Sequence, residues 1–307
     1  MNLDKEIIQI NNITKDYGNN HGDFDINLKI HENEVVGIAG ENGAGKTTLI
    51  RRRMGFIRPD GGNIKIFGQD AYRESANLKK YIGYCPGEIN FPDVKTGNIF
   101  LRNYGKSLGR TDKDFEYASE LIKRRQLDIR AYPKRRSKGR KEKTAIVSAR
   151  MRKPKILILD EPSIGLDPLR REELLELILE QKKGGATRLI SSNSRDELSR
   201  VADKVYLLSK GRIVDSADVN AVKNPPFRDY KVAFVRQEDY ERFLHQNYEI
   251  LENKPQYYQL VLRVRKEDRK NFLTDVALFK IRFLSRMNYD LSTYFRERRK
   301  GKIENES

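Results

Sequence analysis

Residues 35–48 read VVGIAGENGAGKTT: an apolar run, then a glycine-rich loop, then a lysine and two threonines. The loop fits the pattern G-x-x-x-x-G-K-[ST] in its usual place between a strand and a helix. Glycines let successive backbone N–H groups point into one concavity, and the start of the next helix adds partial positive charge. The pattern therefore predicts a loop that binds a nucleoside triphosphate, with Lys46 reaching the β- and γ-phosphates and the Thr47 hydroxyl binding Mg²⁺.

A second pair of candidate residues follows a strand-like run further along the chain. Ile156–Leu159 is short and apolar, and Asp160 and Glu161 come directly after it. The carboxyl ends of buried parallel strands face the crevice where α/β folds bind ligands. Asp160 is therefore predicted to hold Mg²⁺, and Glu161 to orient and deprotonate the water that attacks the γ-phosphate.

Strand-like and helix-like segments alternate up to about residue 220, which predicts an α/β fold with a mostly parallel sheet. The strand-like runs are short and rich in β-branched residues: Val35–Ile38, Ile156–Leu159, Leu189–Ser192 and Val205–Leu208. Asn224-Pro225-Pro226 indicates a linker, because proline continues neither a helix nor a central strand. We therefore expect a domain over residues 1–222, a linker over 223–230 and a smaller domain over 231–307.

The smaller domain has its own alternation of elements. The predicted strands are Lys231–Val235, Tyr257–Val264 and Lys280–Ser285, and the predicted helices are Glu238–Gln246, Glu267–Leu278 and Leu291–Arg299. This order is typical of a small α+β domain, and the segment contains no motif from which a function can be read.

The composition is basic and excludes several classes of protein. The 307 residues include 61 Lys+Arg and 44 Asp+Glu, a formal net charge of +17. No apolar run approaches the ~20 residues that a membrane-spanning helix needs, and the start of the chain does not have the pattern of a signal peptide. The single cysteine, Cys85, excludes an internal disulfide and a cluster of cysteine metal ligands. We therefore expect a cytoplasmic protein.

From about Ile10 to Asp218 these motifs resemble the nucleotide-binding subunit of an ABC transporter. Gly40–Thr48 corresponds to the Walker A loop and Ile156–Glu161 to the Walker B strand. The other matching segments are the opening strand at Ile13–Gly18, the Q-loop at Tyr81–Glu88, the signature at Arg136–Arg140, the D-loop at Ser163–Asp167, the switch loop at Ser191–Asn193 and the hairpin at Lys210–Val214. Within the family, the Ser-Lys-Gly signature and the stretch Pro86–Pro92 are most similar to single-cassette exporters of drugs and bacteriocins.

The resemblance implies a P-loop NTPase ABC cassette. Such a cassette has a mostly parallel core sheet with an antiparallel β subdomain and a helical subdomain, here over about residues 88–153. It also implies an ATPase that uses ATP and Mg²⁺ and dimerises around ATP with a second ABC subunit. Hydrolysis then drives a separate transmembrane permease, by branch resemblance an exporter, from the cytoplasmic face of the cell membrane.

The site residues follow from the same resemblance. Glu161 and Asn193 are the implied catalytic residues, and Thr47 and Asp160 are the implied Mg²⁺ ligands. The positions implied in nucleotide binding are Tyr17, which stacks on adenine, Gly40, Glu41, Asn42, Gly43, Ala44, Gly45, Lys46, Thr47 and Thr48, together with Ser137 and Gly139, which face the ATP held by the opposite subunit.

Two catalytic positions depart from the family pattern. Gly87 stands at the position of the Q-loop glutamine, with Glu88 beside it, and Asn193 stands at the position of the switch histidine. Asparagine still donates a hydrogen bond but carries no positive charge, so hydrolysis is expected to be slower than in a fully matched relative. Arg136 and Arg140 flank the signature glycine, and they either contact phosphate or belong to a solvated basic face.

Other arginines fall among apolar neighbours. Arg53 follows the Walker A loop where the family has an apolar residue, Arg188 interrupts a predicted buried strand, and Arg150 and Arg195 also have apolar neighbours. A buried, unpaired guanidinium costs several kcal/mol. Either these side chains reach solvent or a partner, or the fold is only marginally stable.

Two alternative functions stay open on the sequence alone. Gly87 and Asn193 are also compatible with a regulatory subunit that binds ATP without efficient hydrolysis. The net charge of +17 motivates a soluble ABC protein that acts on nucleic acid. The sequence resembles neither the two-cassette nor the coiled-coil branches of that kind, which disfavours nucleic acid as a partner. The basic clusters Lys134–Arg136 and Arg296–Lys300 are equally suited to the anionic cytoplasmic surface of the membrane.

Overall fold

The computed structural model describes residues 5–19, 22–53, 58–92, 94–107, 109, 112–124, 129–130, 138–151, 153–182 and 185–306. By its internal contacts the chain divides into two units, Met1–Asp218 and Val219–Ser307. Within the described ranges, no helix combines the length and the apolar character needed to cross a bilayer.

The first unit contains a mostly parallel sheet and a smaller antiparallel sheet. Its strands are β1 (Glu6–Asp16), β2 (Gly22–His31), β3 (Val35–Ala39), β4 (Gly61–Ile66), β5 (Gln69–Asp70), β6 (Ile82–Cys85), β7 (Ile156–Asp160), β8 (Thr187–Ser192), β9 (Lys204–Ser209) and β10 (Arg212–Asp218). Its helices are α1 (Lys46–Arg53), α2 (Ser75–Leu78), α3 (Gly97–Ser107), α4 (Asp112–Arg124), α5 (Lys138–Arg150), α6 (Pro168–Lys182) and α7 (Arg195–Val201). The larger sheet has the order β10-β9-β3-β8-β7-β6, with only the β10–β9 pair antiparallel, and the smaller has the order β2-β1-β4-β5. The predicted fold class is confirmed.

The core of this unit lies between the two sheets. Strands β3, β7 and β8 are buried over their whole length, as expected for strands that are covered on both faces. Side chains of β1, β2 and β4 pack against those of β3, β7, β9 and α1 in one apolar cluster. Since β8 lies between β3 and β7, the loops that follow these three parallel strands meet at one edge of the sheet.

Helices α3, α4 and α5 lie within residues 88–153, which are predicted as the helical subdomain. They pack through a separate apolar cluster that includes Leu101, Leu121, Val147 and Met151. Amphipathic helices of this length gain most of their stability from such packing rather than from intrinsic propensity. The cluster therefore anchors α5, the helix that follows the signature.

The predicted conflict at Arg188 is present in the structure. Arg188 lies in β8 with only 2% of its surface exposed. Burial and the charge of Arg150 lower the pKa of Arg188 to about 10, although Asp203 acts in the opposite direction. Arg150 donates a hydrogen bond from Nη2 to the Tyr117 hydroxyl at 3.3 Å. Burial and the charge of Arg150 thus disfavour the charged form of Arg188, and the charge of Asp203 favours it. Arg195 is half-buried, and the side chain of Arg53 lies outside the described part of the chain.

The second unit has a βαββαβ order within a four-stranded sheet. Its strands are β11 (Phe227–Phe234), β12 (Glu249–Lys254), β13 (Gln259–Arg265) and β14 (Ile281–Arg286), and its helices are α8 (Val219–Lys223), α9 (Gln237–Leu244), α10 (Arg269–Ala277) and α11 (Leu291–Glu306). The sheet order β12-β13-β11-β14, with every neighbouring pair antiparallel, is the arrangement of ferredoxin-like domains. An aromatic-rich core joins β11 and β13 to α9 and α10.

The structure corrects the linker that is predicted over residues 223–230. Strand β11 begins at Phe227, and its first four residues pair with β13, with Phe227 opposite Arg265 and Tyr230 opposite Leu262. The two prolines at 225 and 226 lack the N–H group that a strand needs, but they do not prevent a strand from starting directly after them. The segment without regular structure is therefore confined to the few residues between α8 and β11.

A partly buried ion cluster holds α11 to the sheet of the second unit. Arg263 donates from Nε and Nη2 to the two carboxylate oxygens of Asp229, each at 2.9 Å, and from Nη2 to Glu297 at 2.8 Å. Its guanidinium carbon lies 3.8 Å from the ring centre of Phe227. Tyr289 donates to Glu297 at 2.9 Å, and burial together with that carboxylate raises the pKa of Tyr289. These bonds join β11, β13 and α11.

We expect the substitution Arg263→Met to destabilise the second unit by about 3 kcal/mol, because it leaves the buried Asp229 carboxylate without a cation. Chemical denaturation followed by circular dichroism measures this loss. Arg265→Met on the same strand is the matched control, since Arg265 pairs with Asp268 at 2.8 Å on the surface. The control is expected to cost less than about 1 kcal/mol. Equal losses in the two variants would contradict the assignment of a stabilising role to the cluster.

Candidate functional site

The loop Gly40–Gly45 joins β3 to α1 at the carboxyl edge of the parallel sheet. Gly43 and Gly45 have φ values of +82° and +102°, a region that residues with side chains rarely adopt. A Cβ atom on Gly45 would also lie 3.0 Å from Oδ1 of Asp23 on β2. The backbone conformation therefore favours glycine at position 45, and the Asp23 side chain of the β1–β2 hairpin leaves little room for a Cβ atom there.

Lys46 connects this loop to the end of β7. Its Nζ donates to the carbonyl oxygens of Gly40 and Glu41 at 2.7 and 2.9 Å and lies 2.9 Å from Oε1 of Glu161. The residue is 3% exposed. A buried ammonium group, the loop carbonyls and a carboxylate thus converge at one point, and two residues that were predicted separately for the site, Lys46 and Glu161, are in contact.

Ser191, at the end of β8, organises the two acidic residues. Its hydroxyl donates to Oδ1 of Asp160 at 2.6 Å and accepts from the backbone N–H of Glu161 at 2.9 Å. Glu161 itself has a φ value of +46°. Ser191 is not among the site residues predicted from the sequence, and its type and position alone carry no signal of this role. Ser191 fixes the backbone of Glu161 and one oxygen of Asp160.

The other predicted site residues of the first unit differ in how far their side chains are exposed. Thr47 and Thr48 are half-buried in the first turn of α1, and Ala44 is buried, whereas Glu41, Asn42 and Gly43 are exposed. Tyr17 is 54% exposed directly after β1, on the hairpin whose other strand brings Asp23 to Gly45. Asn193 is exposed directly after β8.

The signature is described only in part. Ser137 and Arg136 lie outside the described residues, as does the side chain of Arg140. Gly139 lies in the first turn of α5. The structure therefore places one of the two predicted signature residues at a helix N-terminus and leaves the other as a prediction.

Gly87 approaches the end of β7 closely. A Cβ atom at this position would lie 2.9 Å from the carbonyl oxygen of Asp160 and 3.6 Å from Cβ of Glu161. Any larger residue requires the backbone to shift, because a Cβ atom essentially never comes within 3.0 Å of a carbonyl oxygen. The neighbouring Glu88 is exposed. Glycine therefore fits at the Q-loop position without a shift of the backbone, and a residue with a Cβ atom does not.

Cys85, the single cysteine, precedes this segment and does not have the surroundings of a reactive thiol. It is buried, and its Sγ lies 4.0 Å from Oε1 of Glu142. Burial, together with the negative charges of Glu142 and Asp160, raises the pKa of the Cys85 thiol well above its ordinary value. The thiol therefore stays protonated and is a poor nucleophile.

The donor chemistry of the site fits Mg²⁺. Thr47 offers a hydroxyl and Asp160 a buried carboxylate, and Mg²⁺ prefers such oxygen donors. Among the described residues there is no group of three or more His, Cys, Asp or Glu side chains that would form a complete metal cage. Mg²⁺ usually binds to one or two protein oxygens together with phosphate oxygens and water. The residues present are suited to that mode.

A glycine-rich loop between a parallel strand and a helix, with its lysine next to the acidic end of a second strand, defines a P-loop nucleoside triphosphatase. Residues 24–164 match the family model described as ABC transporter. The chain belongs to the ABC transporter family, as an ATP-binding subunit.

Individual relatives agree with this assignment. The chain is 32% identical over 211 residues to the linearmycin resistance ATP-binding protein LnrL of Bacillus subtilis (strain 168), and the alignment covers 68% of each protein. It is 30% identical over 219 residues to the bacitracin transport ATP-binding protein BcrA of Bacillus licheniformis, covering 71% of each. A solved structure titled "Structure of ATP binding subunit of ABC transporter" superposes with a TM-score of 0.64 at 28% identity and covers 71% of this chain and 92% of that one.

Proposed function

We propose that this chain hydrolyses ATP as one half of a nucleotide-bound dimer and thereby drives a separate transmembrane permease. The observation that carries the proposal is the convergence of Lys46 and Glu161, whose charged groups lie 2.9 Å apart at the edge of the sheet. A cation that can neutralise phosphate charge and a base that can accept a proton are two of the groups that catalyse phosphoryl transfer to water.

Each side chain has a distinct role in this proposal. Lys46 binds the β- and γ-phosphates, helped by the backbone amides of residues 40–48, and Tyr17 stacks on adenine. Glu161 accepts the proton of the attacking water, and Asn193 donates a hydrogen bond to the γ-phosphate. Thr47 and Asp160 hold Mg²⁺, which supplies positive charge that offsets the charge developing on the phosphate oxygens.

The dimer and the membrane partner complete the proposed mechanism. Ser137 and Gly139 of one chain contact the γ-phosphate that the Walker motifs of the other chain bind, so that ATP joins the two subunits and hydrolysis releases them. The two relatives described above are named for resistance to linearmycin and for transport of bacitracin, which supports export of a compound of that kind. We place the subunit on the cytoplasmic face of the membrane, where its net charge of +17 favours contact with anionic lipid.

A second candidate function is that of a regulatory subunit that binds ATP and hydrolyses it inefficiently. Asn193 and Gly87, at the positions of the switch histidine and the Q-loop glutamine, motivate it. Clear Mg²⁺-dependent phosphate release by the purified chain supports the first proposal, and nucleotide binding without turnover supports the second.

The variant Asn193→His tests the reason for slow hydrolysis. Asn193 is exposed, so a histidine fits there without repacking. An imidazolium can stabilise charge on the γ-phosphate, which asparagine cannot, and we expect kcat for ATP to rise about tenfold or more. Steady-state phosphate release measures the change, with Asn193→Gln as the uncharged control. A kcat equal to that of the wild type in both variants would contradict the role of Asn193.

A further inference from the structure

One buried carboxylate, that of Glu197 on α7, joins three separate segments of the first unit. Its Oε2 accepts hydrogen bonds from the hydroxyls of Ser163 and Ser192, at 2.6 and 3.0 Å. Its Oε1 lies 3.1 Å from Nε of Arg171 on α6. Glu197, Ser163 and Ser192 are buried, so the two serine hydrogen bonds occur in the interior, where they are stronger than in water, whereas the Arg171 side chain is 43% exposed.

The two serines belong to the segments that flank the candidate catalytic residues. Ser163 is the first residue of the D-loop and lies two residues after Glu161. Ser192 directly precedes Asn193, and its Oγ also accepts from the backbone N–H of Ser194 at 3.0 Å. This bond closes the turn over residues 192–194 that carries Asn193, which we call the switch turn. Ser194 in turn caps α7 by accepting from the backbone N–H of Glu197 at 3.3 Å.

Arg171 extends the same connection along the D-loop. While Nε of Arg171 faces Glu197, its Nη2 lies 3.5 Å from the carbonyl oxygen of Leu166 near the far end of the D-loop. The D-loop is thus linked to Glu197 at two places. Ser163 at its beginning donates to the Glu197 carboxylate, and Arg171, which also contacts this carboxylate, lies beside the Leu166 carbonyl near its end. A displacement of the D-loop therefore also shifts the Glu197 carboxylate, which is hydrogen-bonded to Ser192 in the switch turn.

We propose that Glu197 is a positioning residue that couples the D-loop to the switch turn, so that Asn193 and the backbone after Glu161 take their reactive positions together. This inference rests on the proposed hydrolysis of ATP. Glu197 touches neither nucleotide nor water in this role: it acts through Ser163 and Ser192. Loss of the coupling lowers the rate of the chemical step and leaves nucleotide affinity nearly unchanged, since the Walker A loop makes no part of this network.

The chain offers a matched control on the same pair of helices. Glu172 of α6 and Arg200 of α7 form a bidentate ion pair on the surface. Nη1 and Nη2 of Arg200 donate to the two carboxylate oxygens of Glu172 at 2.6 and 2.7 Å. Glu172→Gln weakens an α6–α7 contact without touching the D-loop or the switch turn. A general loosening of these helices predicts the same effect from Glu172→Gln as from a change at Glu197, whereas coupling through Glu197 predicts an effect from the latter alone.

The kinetic test compares Glu197→Ala, Ser163→Ala, Glu197→Gln and Glu172→Gln. We expect Glu197→Ala to lower kcat for ATP by about 10- to 100-fold with KM within twofold of the wild type, because small misplacements of reacting groups cost that much. Ser163→Ala, which removes only one hydroxyl, tests the same link if Glu197→Ala folds poorly. Glu197→Gln keeps one oxygen that can accept both serine hydroxyls, but its amide nitrogen cannot accept from Arg171, so we expect a kcat between those of Glu197→Ala and the wild type. Wild-type kcat in Glu197→Ala or in Ser163→Ala, or an equal loss of kcat in Glu172→Gln, overturns the proposal.

A measurement without turnover separates this inference from the proposed function. In Ser163→Ala we expect faster hydrogen–deuterium exchange of the backbone amides in residues 192–197, on a segment that is remote in sequence from the substitution. Unchanged exchange there overturns the coupling, even if the wild type hydrolyses ATP. If the wild type does not release phosphate, the proposed hydrolysis fails, while faster exchange in Ser163→Ala still supports the coupling.

Discussion

Replacing Lys46 by alanine is expected to weaken ATP binding by about 100-fold or more, because charge-assisted hydrogen bonds to phosphate are each worth ~1.5–3 kcal/mol. Isothermal titration calorimetry with ATP in the presence of Mg²⁺ measures the loss. The Lys46 ammonium group contacts the carbonyl oxygens of Gly40 and Glu41 and the carboxylate of Glu161.

A control lysine separates loss of binding from loss of stability. Lys29 forms an ion pair with Glu6 at 2.6 Å on the antiparallel sheet, away from the loop. Lys29→Ala removes one lysine from a Lys–Glu pair, as Lys46→Ala does, and is expected to bind ATP like the wild type. Wild-type affinity in Lys46→Ala, with the thermal unfolding midpoints of all three proteins alike, would contradict the role of Lys46.

Replacing Glu161 by glutamine is expected to abolish phosphate release while ATP binding is retained. Loss of a general base typically lowers kcat by about 100- to 10,000-fold. Glutamine has nearly the same shape and keeps the backbone bonds to Ser191, but it no longer pairs with the Lys46 ammonium as a charge. We therefore expect both ATP and ADP to bind a few-fold more tightly, because the ammonium then interacts with phosphate without competition from a carboxylate.

Two assays on this variant give separate answers. Steady-state phosphate release tests whether Glu161 is the base, and titration with ADP tests whether its charge competes with phosphate for Lys46. Glu6→Gln, which neutralises the surface carboxylate paired with Lys29, is the control for a general effect of charge. Undiminished phosphate release in Glu161→Gln would contradict the role of Glu161 as the base.

The parallel sheet could be predicted from the sequence because its strands have a simple physical signature. Strands β3, β7 and β8 are buried on both faces, and such strands are continuous runs of apolar and β-branched residues. The contact between Lys46 and Glu161 was predictable for a related reason: each follows a strand of this kind, and the carboxyl ends of parallel strands share one edge of the sheet.

Strand β12 was not predicted, because it lies at the edge of its sheet and is mostly exposed. Its sequence, Glu249–Lys254, carries three charged residues and lacks a buried face that would produce an alternation of apolar and polar side chains. The strand is defined by its backbone hydrogen bonds to β13, and these bonds do not depend on which side chains the strand carries. The early start of β11 was missed for a different reason, because the two prolines before Phe227 indicate a linker.

Ser191 and Glu197 were missed as site residues because their roles depend on contacts between segments far apart in the chain. The hydroxyl of Ser191 gains its partner Asp160 only when β8 pairs with β7, and Glu197 meets Ser163 only when α7 packs beside the D-loop. Glutamate in the first turn of a helix is common in caps, and a serine at the end of a strand has no distinctive spacing, so type and position do not distinguish either role. Hydrogen-bond networks of this kind become visible only in the folded chain.

The most direct measurement is phosphate release by the purified wild-type chain with ATP and Mg²⁺, over a range of protein concentrations. If ATP is hydrolysed between two copies, release requires Mg²⁺, and the activity per chain rises with protein concentration until the dimer is saturated. Absence of Mg²⁺-dependent release at every concentration, in protein that remains folded, would contradict the proposed hydrolysis.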